Sequence, residues 1–387
     1  MTDNKAVFTL YEDKYVLIHI ENDQMKHIYV YNSSDEIEPG TVINCRIDRG
    51  IDNIDSCFVQ YGPKSTGFLN KKYKNGTVIP LVYKKEAINN KKPMFSDSIT
   101  LEGEYVVVTD KRSYVKVSSK IPEPAKKDIA GSFYDLCASN NAGVIVRTRT
   151  YTEEDGITKA IEEFNNAINM IGRITESSQH LPQYSVLYRP VLAFVSDILY
   201  LSQRGLKEVI TDIPQIMDQL KEDHDTLTGR VNLTDRVELR FYDDKLVSLG
   251  KLYSIDAKIS SCLSRKVYLK SGAYITIDTT EAFTAIDVNT ASSDRSATRD
   301  ETFLAVNLEA CSEIAKQLVL RNIGGMVIID FINMESEEDY NILTEHIKNA
   351  IKFDRVKCRF VDFTGLKLCE LTRSRQGKSL YQNLRGR

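Results

Sequence analysis

The chain has 387 residues, with 51 Lys and Arg against 54 Asp and Glu and a formal net charge of −3. That length gives room for roughly two to four domains, and the charge excludes a uniformly cationic surface, so any nucleic-acid contact must come from local clusters. The 7 cysteines include no C-x-x-C pair and the 5 histidines are scattered, which points to free thiols in a reducing compartment and leaves no zinc ligand set.

From the N-terminus, "MTDNKAVFTLYEDK" lacks a basic head and an apolar core, and no uncharged apolar run approaches ~18 residues. A soluble cytoplasmic protein with no membrane partner is expected. Residues 5–33 alternate apolar and polar in short bursts, as a β-hairpin does. From "EPGTVINCRIDRG" brief strands follow one another with Gly40, Gly50, Gly62 and Gly67 at turns, which suggests a small barrel of the oligonucleotide-binding type running to about residue 118.

After "KIPEPAKKD" the texture becomes helical. "GVIVRTRT" reads as a strand. "DGITKAIEEFNNAINMIGRIT" reads as a helix with Ile157, Ile161, Phe164, Ile168 and Ile171 on one face. "LKEVITDIPQIMDQLKE" gives a strand and a helix, and "DAKISSCLSRKVYLKSGAYITIDTTEAFTAIDVNT" a helix leading into a hairpin.

Most of the chemistry lies in 281–334. Strand "AFTAIDVN" precedes a helix opened by Thr298 and Glu301 as a capping box, then Gly324, Gly325 and strand "MVIIDFINM". Asp287 and Asn289, two apart, leave the same sheet face, and a charge in a buried strand needs a partner. If the two strands are parallel neighbours, Asp287 and Asp330 meet near their carboxyl ends. Two carboxylates with a nearby amide form a natural Mg²⁺ site. The alternative is that each Asp caps a strand end or pairs with a base such as Arg299 or Arg321.

The runs "RKVYLKSGAYITIDTTEAFTAIDVNTA", "NLEACSEIAKQLVLRNIGGMVIIDFINM" and "ELTRSR" closely resemble the catalytic region of the ribonuclease E/G family of bacterial endoribonucleases. The likeness extends through "CFVQYGPKSTGFLN" and "AGVIVRT" to nearly the whole chain. It implies a multidomain α/β protein: an RNase H-like subdomain from 1–35 and 205–280, an S1 barrel of the OB type over 36–118, a 5′-sensor region over 119–204, and a DNase I-like catalytic region over 281–387. By motif, Asp287 and Asp330 match the aspartates that hold catalytic Mg²⁺, and Asn289 the amide that orients the scissile phosphate. Phe58, Phe68 and Lys91 match RNA-binding positions of the barrel, and Arg147 and Thr148 the 5′-phosphate pocket.

The implied function is Mg²⁺-dependent cleavage of single-stranded RNA to 5′-phosphate and 3′-hydroxyl products, in rRNA maturation or mRNA decay, with preference for a 5′-monophosphate. A non-catalytic RNA-binding protein of the same fold is the alternative. The tail "LTRSRQGKSLYQNLRGR" has no acid, and its Arg373 is expected to contact RNA. Family members carry a cysteine motif after "TR-R" that binds zinc between subunits. The 387 residues contain none, so any homodimer is expected without a zinc link. Asn333 stands where the family commonly has a second acid.

Overall fold

The first three strands are β1 (Asn4–Tyr11), β2 (Lys14–Glu21) and β3 (Gln24–Tyr31); in β1 and β2 the consecutive apolar runs Ala6–Phe8 and Val16–Ile18 are fully buried, as in strands covered on both faces. Asn22 and Asp23, with φ of 49° and 61°, supply the paired left-handed conformations that a tight hairpin requires. The structure, a computed structural model, describes residues 3–31, 37–51, 54–85, 92–227, 229–290, 299–352 and 354–386. It divides into two units: Met1–Ser33, Leu201–Leu220 and Val237–Arg387 form one, and Ser34–Tyr200 with Lys221–Arg236 the other. Helices α4 (Ala193–Ser202) and α5 (Pro214–Lys221) contain two of the boundaries.

In the first unit β1 also pairs in parallel with β14 (Glu208–Thr211), and β14 with β17 (Glu238–Phe241), giving the order β17-β14-β1-β2-β3. Val7, Ile18 and Ile210 pack with Leu249 of α6 (Leu249–Leu252), Ile255 and Ile259 of α7 (Ile255–Leu263), and Leu380 and Leu384 of α10 (Leu380–Arg385).

His19 and His27 face each other across β2 and β3, Nδ1 to Nδ1 at 3.1 Å. Because His19 Nε2–H donates to Asn4 Oδ1 at 2.8 Å, His19 Nδ1 is the acceptor and His27 Nδ1–H the donor. Burial holds both rings down to about 4, and the facing imidazole adds to the effect at His27. A folded-state value below the unfolded one means stability that is whole above about pH 6.5 and lost as pH falls toward 4. Denaturant midpoints should therefore drop between pH 6.5 and 4, and His27→Phe should flatten that decline. An equal pH slope in the variant would show that the pair does not cause it.

The second sheet of this unit comprises β18 (Lys266–Tyr268), β19 (Tyr274–Thr279), β20 (Phe283–Asn289), β21 (Gly325–Asp330), β22 (Cys358–Phe363) and β23 (Cys369–Arg373), in the order β18-β19-β20-β21-β23-β22. β20 and β21 are parallel and joined by α8 (Arg299–Leu320); the other pairings are antiparallel. Ile275, Ile286, Val288, Val327 and Ile329 bury against Ala310, Ile314 and Leu318 of α8 and Leu343 and Ile347 of α9 (Glu337–Ile351). Thr298 of the expected capping box lies outside the described residues.

The second unit holds a closed five-stranded barrel of β4 (Val42–Gly50), β5 (Cys57–Gly62), β6 (Ser65–Leu69), β8 (Met94–Ser96) and β7 (Val78–Lys85), which returns to β4; β13 (Val186–Tyr188) adds to its edge. Ile43, Cys45, Val59, Leu81 and Phe95 fill it. A Cβ on Gly67 would lie 2.4 Å from the Phe95 ring, so only glycine lets the strand approach. Next come β9 (Thr100–Glu102), β10 (Val106–Thr109), β11 (Tyr114–Val117) and β12 (Gly143–Val146), ordered β11-β12-β10-β9, with α1 (Glu123–Asn140), α2 (Arg149–Thr152) and α3 (Gly156–His180). A small ribbon, β15 (His224–Thr226) and β16 (Gly229–Val231), completes the unit.

Three expected boundaries move. The barrel ends at Ser96 and not near 118, because Val106–Thr109 and Tyr114–Val117 pair with Gly143–Val146, and Thr100–Glu102 with Val107–Thr109, in a separate sheet. The sheet bearing the two aspartates begins at Lys266 and not at 281, since the β18–β19–β20 ladder is continuous. Residues 221–236 group with the second unit. On α3, Phe164 and Ile171 are buried, but Ile157 is 37% exposed and Ala160, Glu163, Ala167 and Ile174 share the inner face. Six of the seven thiols are buried, and none forms a disulfide. Among the described residues no helix is long and apolar enough to cross a membrane.

Candidate active site and nucleic-acid interface

Alternation along β20 turns Ile286 and Val288 into the core and Asp287 and Asn289 out of the opposite face. The parallel register places Asp287 directly opposite Asp330, the last residue of β21. Both carboxylates are exposed, which corrects the expectation of a buried charge: the apolar run builds a strand whose second face is open. The recorded partner of Asp287 is Asn289, whose Nδ2–H donates to Oδ2 at 2.6 Å. Among the described residues no Lys or Arg forms an ion pair with either acid. Arg321, offered as a partner, is 9% exposed and donates to Gln317 at 2.7 Å; the side chain of Arg299 lies outside the described residues.

Neighbouring strands lie ~4.8 Å apart, so two unpaired carboxylates at one register level repel each other and together attract a cation. Their all-oxygen donor set suits Mg²⁺, which takes one or two protein carboxylates and fills its remaining positions from water and phosphate. Among the described residues no group of three or more His, Cys, Asp or Glu gathers into a metal cage, so this pair is the set that fits.

The turn after Asp330 is fixed from behind. Asn307 of α8, fully buried, donates from Nδ2 to the carbonyl of Ile332 at 2.9 Å and accepts from its N–H at 3.0 Å. This is the residue that sequence reasoning missed, because an Asn on a helix face carries no signal until its partner is known. Asn333 beside it is exposed.

On the barrel, Phe58 and Phe68 are directly paired across β5 and β6, with ring centroids 6.4 Å apart at 71°. Both are half-buried and lie outside the barrel core. Arg49 and Lys92 each sit 5.4 Å from the Phe58 ring centre, so two aromatics and two cations share one surface. Lys91 lies outside the described residues.

Arg147 and Thr148 follow β12 at its carboxyl end. The Arg147 guanidinium is 40% exposed and donates from Nη2 to Glu102 at 2.9 Å, and the Thr148 and Ser118 hydroxyls are 2.9 Å apart. Next to them Arg149 bridges Glu104 and Glu153, and Tyr105 donates its hydroxyl to Glu153 at 2.5 Å. Burial and then that bond push the Tyr105 phenol up to about 12. Glu163, 1% exposed, accepts from the N–H groups of Glu104, Tyr105 and Val106 at 2.7, 2.8 and 2.8 Å and so fixes the turn under the cluster.

Arg373 is corrected outright. It is 4% exposed, with Nε and Nη2 on Asp354 at 2.7 and 3.3 Å and Nη1 on Asn322 Oδ1 and the Ile323 carbonyl at 3.1 and 3.0 Å. With its donors directed inward it braces the fold and does not face RNA. In the tail, Arg385 reaches Glu12 at 3.4 Å.

The family model described as "Ribonuclease E/G family" matches residues 100–376. Ribonuclease E of Synechocystis sp. is 29% identical over 380 residues, covering 93% of this chain and 55% of the relative. The ribonuclease E/G-like protein of Pyropia yezoensis is 32% identical over 366 residues (87% and 69%), and ribonuclease G of Haemophilus influenzae 26% over 393 (93% and 77%). The chain spans about half the length of the ribonuclease E proteins it matches.

Proposed function

Because the chain belongs to the ribonuclease E/G family, we propose that it is an Mg²⁺-dependent endoribonuclease of the cytoplasm. It would cut single-stranded RNA to 5′-phosphate and 3′-hydroxyl products during rRNA maturation or mRNA decay, with preference for a 5′-monophosphate. The observation that carries the reading is the register Asp287–Asp330 on two parallel strands, both exposed and, among the described residues, in no ion pair with Lys or Arg. The fold names belong to the same reading: RNase H-like for the β17-β14-β1-β2-β3 sheet, where β2 alone runs against the rest, S1 for the barrel, and DNase I-like for the region of the aspartates.

Asp287 and Asp330 would hold Mg²⁺, which supplies Lewis-acid polarisation of the scissile phosphoryl group for in-line attack by water. Asn289 fixes the orientation of Asp287 with one amide hydrogen and keeps the other for a phosphate oxygen. Asn307 holds the turn behind Asp330, so the two carboxylates keep their spacing before substrate arrives. Phe58 and Phe68 offer unpaired bases a stacking surface, with Arg49 and Lys92 beside them for phosphate. Wild-type protein, Mg²⁺ and a 5′-monophosphorylated single strand test the whole reading: an intact RNA that is nonetheless bound would make the chain a non-catalytic RNA-binding protein.

At the 5′ end, Arg147 and Thr148 would grip the terminal phosphate by charge-assisted hydrogen bonds. Each such bond is worth roughly 1.5–3 kcal/mol, so the monophosphate should raise kcat/KM about tenfold or more over the 5′-hydroxyl RNA. Arg147→Ala should erase that ratio and leave cleavage of the 5′-hydroxyl RNA almost unchanged. Because Glu102 competes for the guanidinium, Glu102→Gln should widen the ratio. Equal loss on both substrates in Arg147→Ala removes the sensor role.

A further inference from the structure

The face that carries Asp287 continues outward across β19 and β18. Two rows of side chains cross it: Tyr268, Tyr274 and Asn289 in one, and Lys266, Thr276, Asp287 and Asp330 in the next. At its outer end Tyr268 is 69% exposed, with its ring centre 6.1 Å from that of Tyr274 and tilted by 56°. The Lys266 ammonium lies between them, 3.4 Å from the Tyr274 centre and 4.8 Å from that of Tyr268. Among the described residues no carboxylate forms an ion pair with Lys266, whereas its neighbour Arg265 pairs with Asp278, donating from Nε and Nη2 at 2.6 Å each.

This arrangement has the chemistry of a nucleotide seat. An exposed phenol ring gives a base a flat apolar surface, and a cation held over aromatics keeps its charge without a salt bridge. Two strand spacings separate Lys266 from Asp287, roughly 10 Å, so a phosphate on Lys266 and one at the acids belong to neighbouring parts of one strand. An edge-strand lysine also deters strand addition, but that task would leave it extended into solvent instead of seated between two tyrosines.

We propose that Tyr268, Tyr274 and Lys266 form a subsite for single-stranded RNA beside the scissile phosphate, in which an unpaired base stacks on Tyr268 and the phosphate of that nucleotide meets Lys266. The subsite rests on the reading that this face cuts RNA. Stacking and charge carry the contact, so the subsite is tolerant of sequence.

The test measures binding of a fluorescent 5′-hydroxyl single-stranded RNA to the Asp287→Asn protein, where cleavage does not intervene, and kcat/KM in the otherwise wild-type enzyme. Tyr268→Ala should weaken affinity about tenfold and Tyr268→Phe should restore it. Lys266→Gln should flatten the slope of log affinity against log salt by about 0.7, the value of one lost phosphate contact on a single strand. An abasic site scanned along the RNA should cost as much as Tyr268→Ala at one position and nothing further when the two are combined. Unchanged affinity in Tyr268→Ala, failure of Tyr268→Phe to restore it, or full additivity at every abasic position overturns the subsite. Cleavage by wild type with indifferent Tyr268 variants rejects the subsite alone. Binding that responds to Tyr268 but never leads to cleavage rejects the catalytic reading alone.

Discussion

Asp287→Asn and Asp330→Asn should each lower kcat by about 10³-fold or more in saturating Mg²⁺, the scale expected when several kcal/mol of transition-state charge stabilisation are lost. Both side chains are exposed, on the face opposite the core built by Ile286, Val288, Val327 and Ile329, so folding has no stake in their charge. Thermal midpoints should hold or rise, since either change removes one of two facing carboxylates. RNA affinity should also hold, because the proposed barrel and tyrosine contacts are untouched. Turnover assays with bound-RNA measurements on the same preparations decide the matter. Near wild-type turnover in either variant would remove the pair from the chemistry.

The Arg373→Ala variant should fail in the opposite way. Its side chain, 3% exposed, is paired with an Asp354 side chain that is 7% exposed, and breaking such a buried pair costs about 3–5 kcal/mol. For a unit of this size the loss corresponds to a melting temperature lower by about 10 °C. Asn322, left-handed with φ 47°, would also lose its side-chain donor just where its own Nδ2–H groups hold the carbonyls of Gln376 and Lys378 at 2.6 and 3.0 Å. Cleavage per folded molecule, measured well below the transition, should stay near wild type. An unchanged melting temperature with weaker RNA binding would return Arg373 to the RNA-contacting residues.

These three residues mark what can be read from the chain. Asp287 and Asp330 were legible because a strand, a helix, two glycines and another strand make a parallel pair, and parallel register brings matching positions together. Their exposure was not, since period-two alternation separates two faces without saying which is covered. Arg373 misled for the same reason: among the basic residues of a tail it resembles a surface charge, yet β23 alternates Cys369, Leu371 and Arg373 inward. The barrel strands and those of 100–117 share one texture, and only pairing with Gly143–Val146 separates them. Glu102 finds Arg147 45 residues away, beyond the reach of any local pattern.

β1 makes its parallel pairing with β14 across about 200 residues of intervening chain, and the Thr9 hydroxyl reaches Asp212 at 2.8 Å over a separation of 203. On a ribosome adding about 5–20 residues per second, β1 to β3 can zip together locally, but the outer edge of β1 waits roughly 10–40 s for its partner to be made. During that interval an open strand edge is available to other nascent chains. Slower synthesis lengthens the exposure, so soluble yield should depend on the pace of translation through the inserted 34–200 segment.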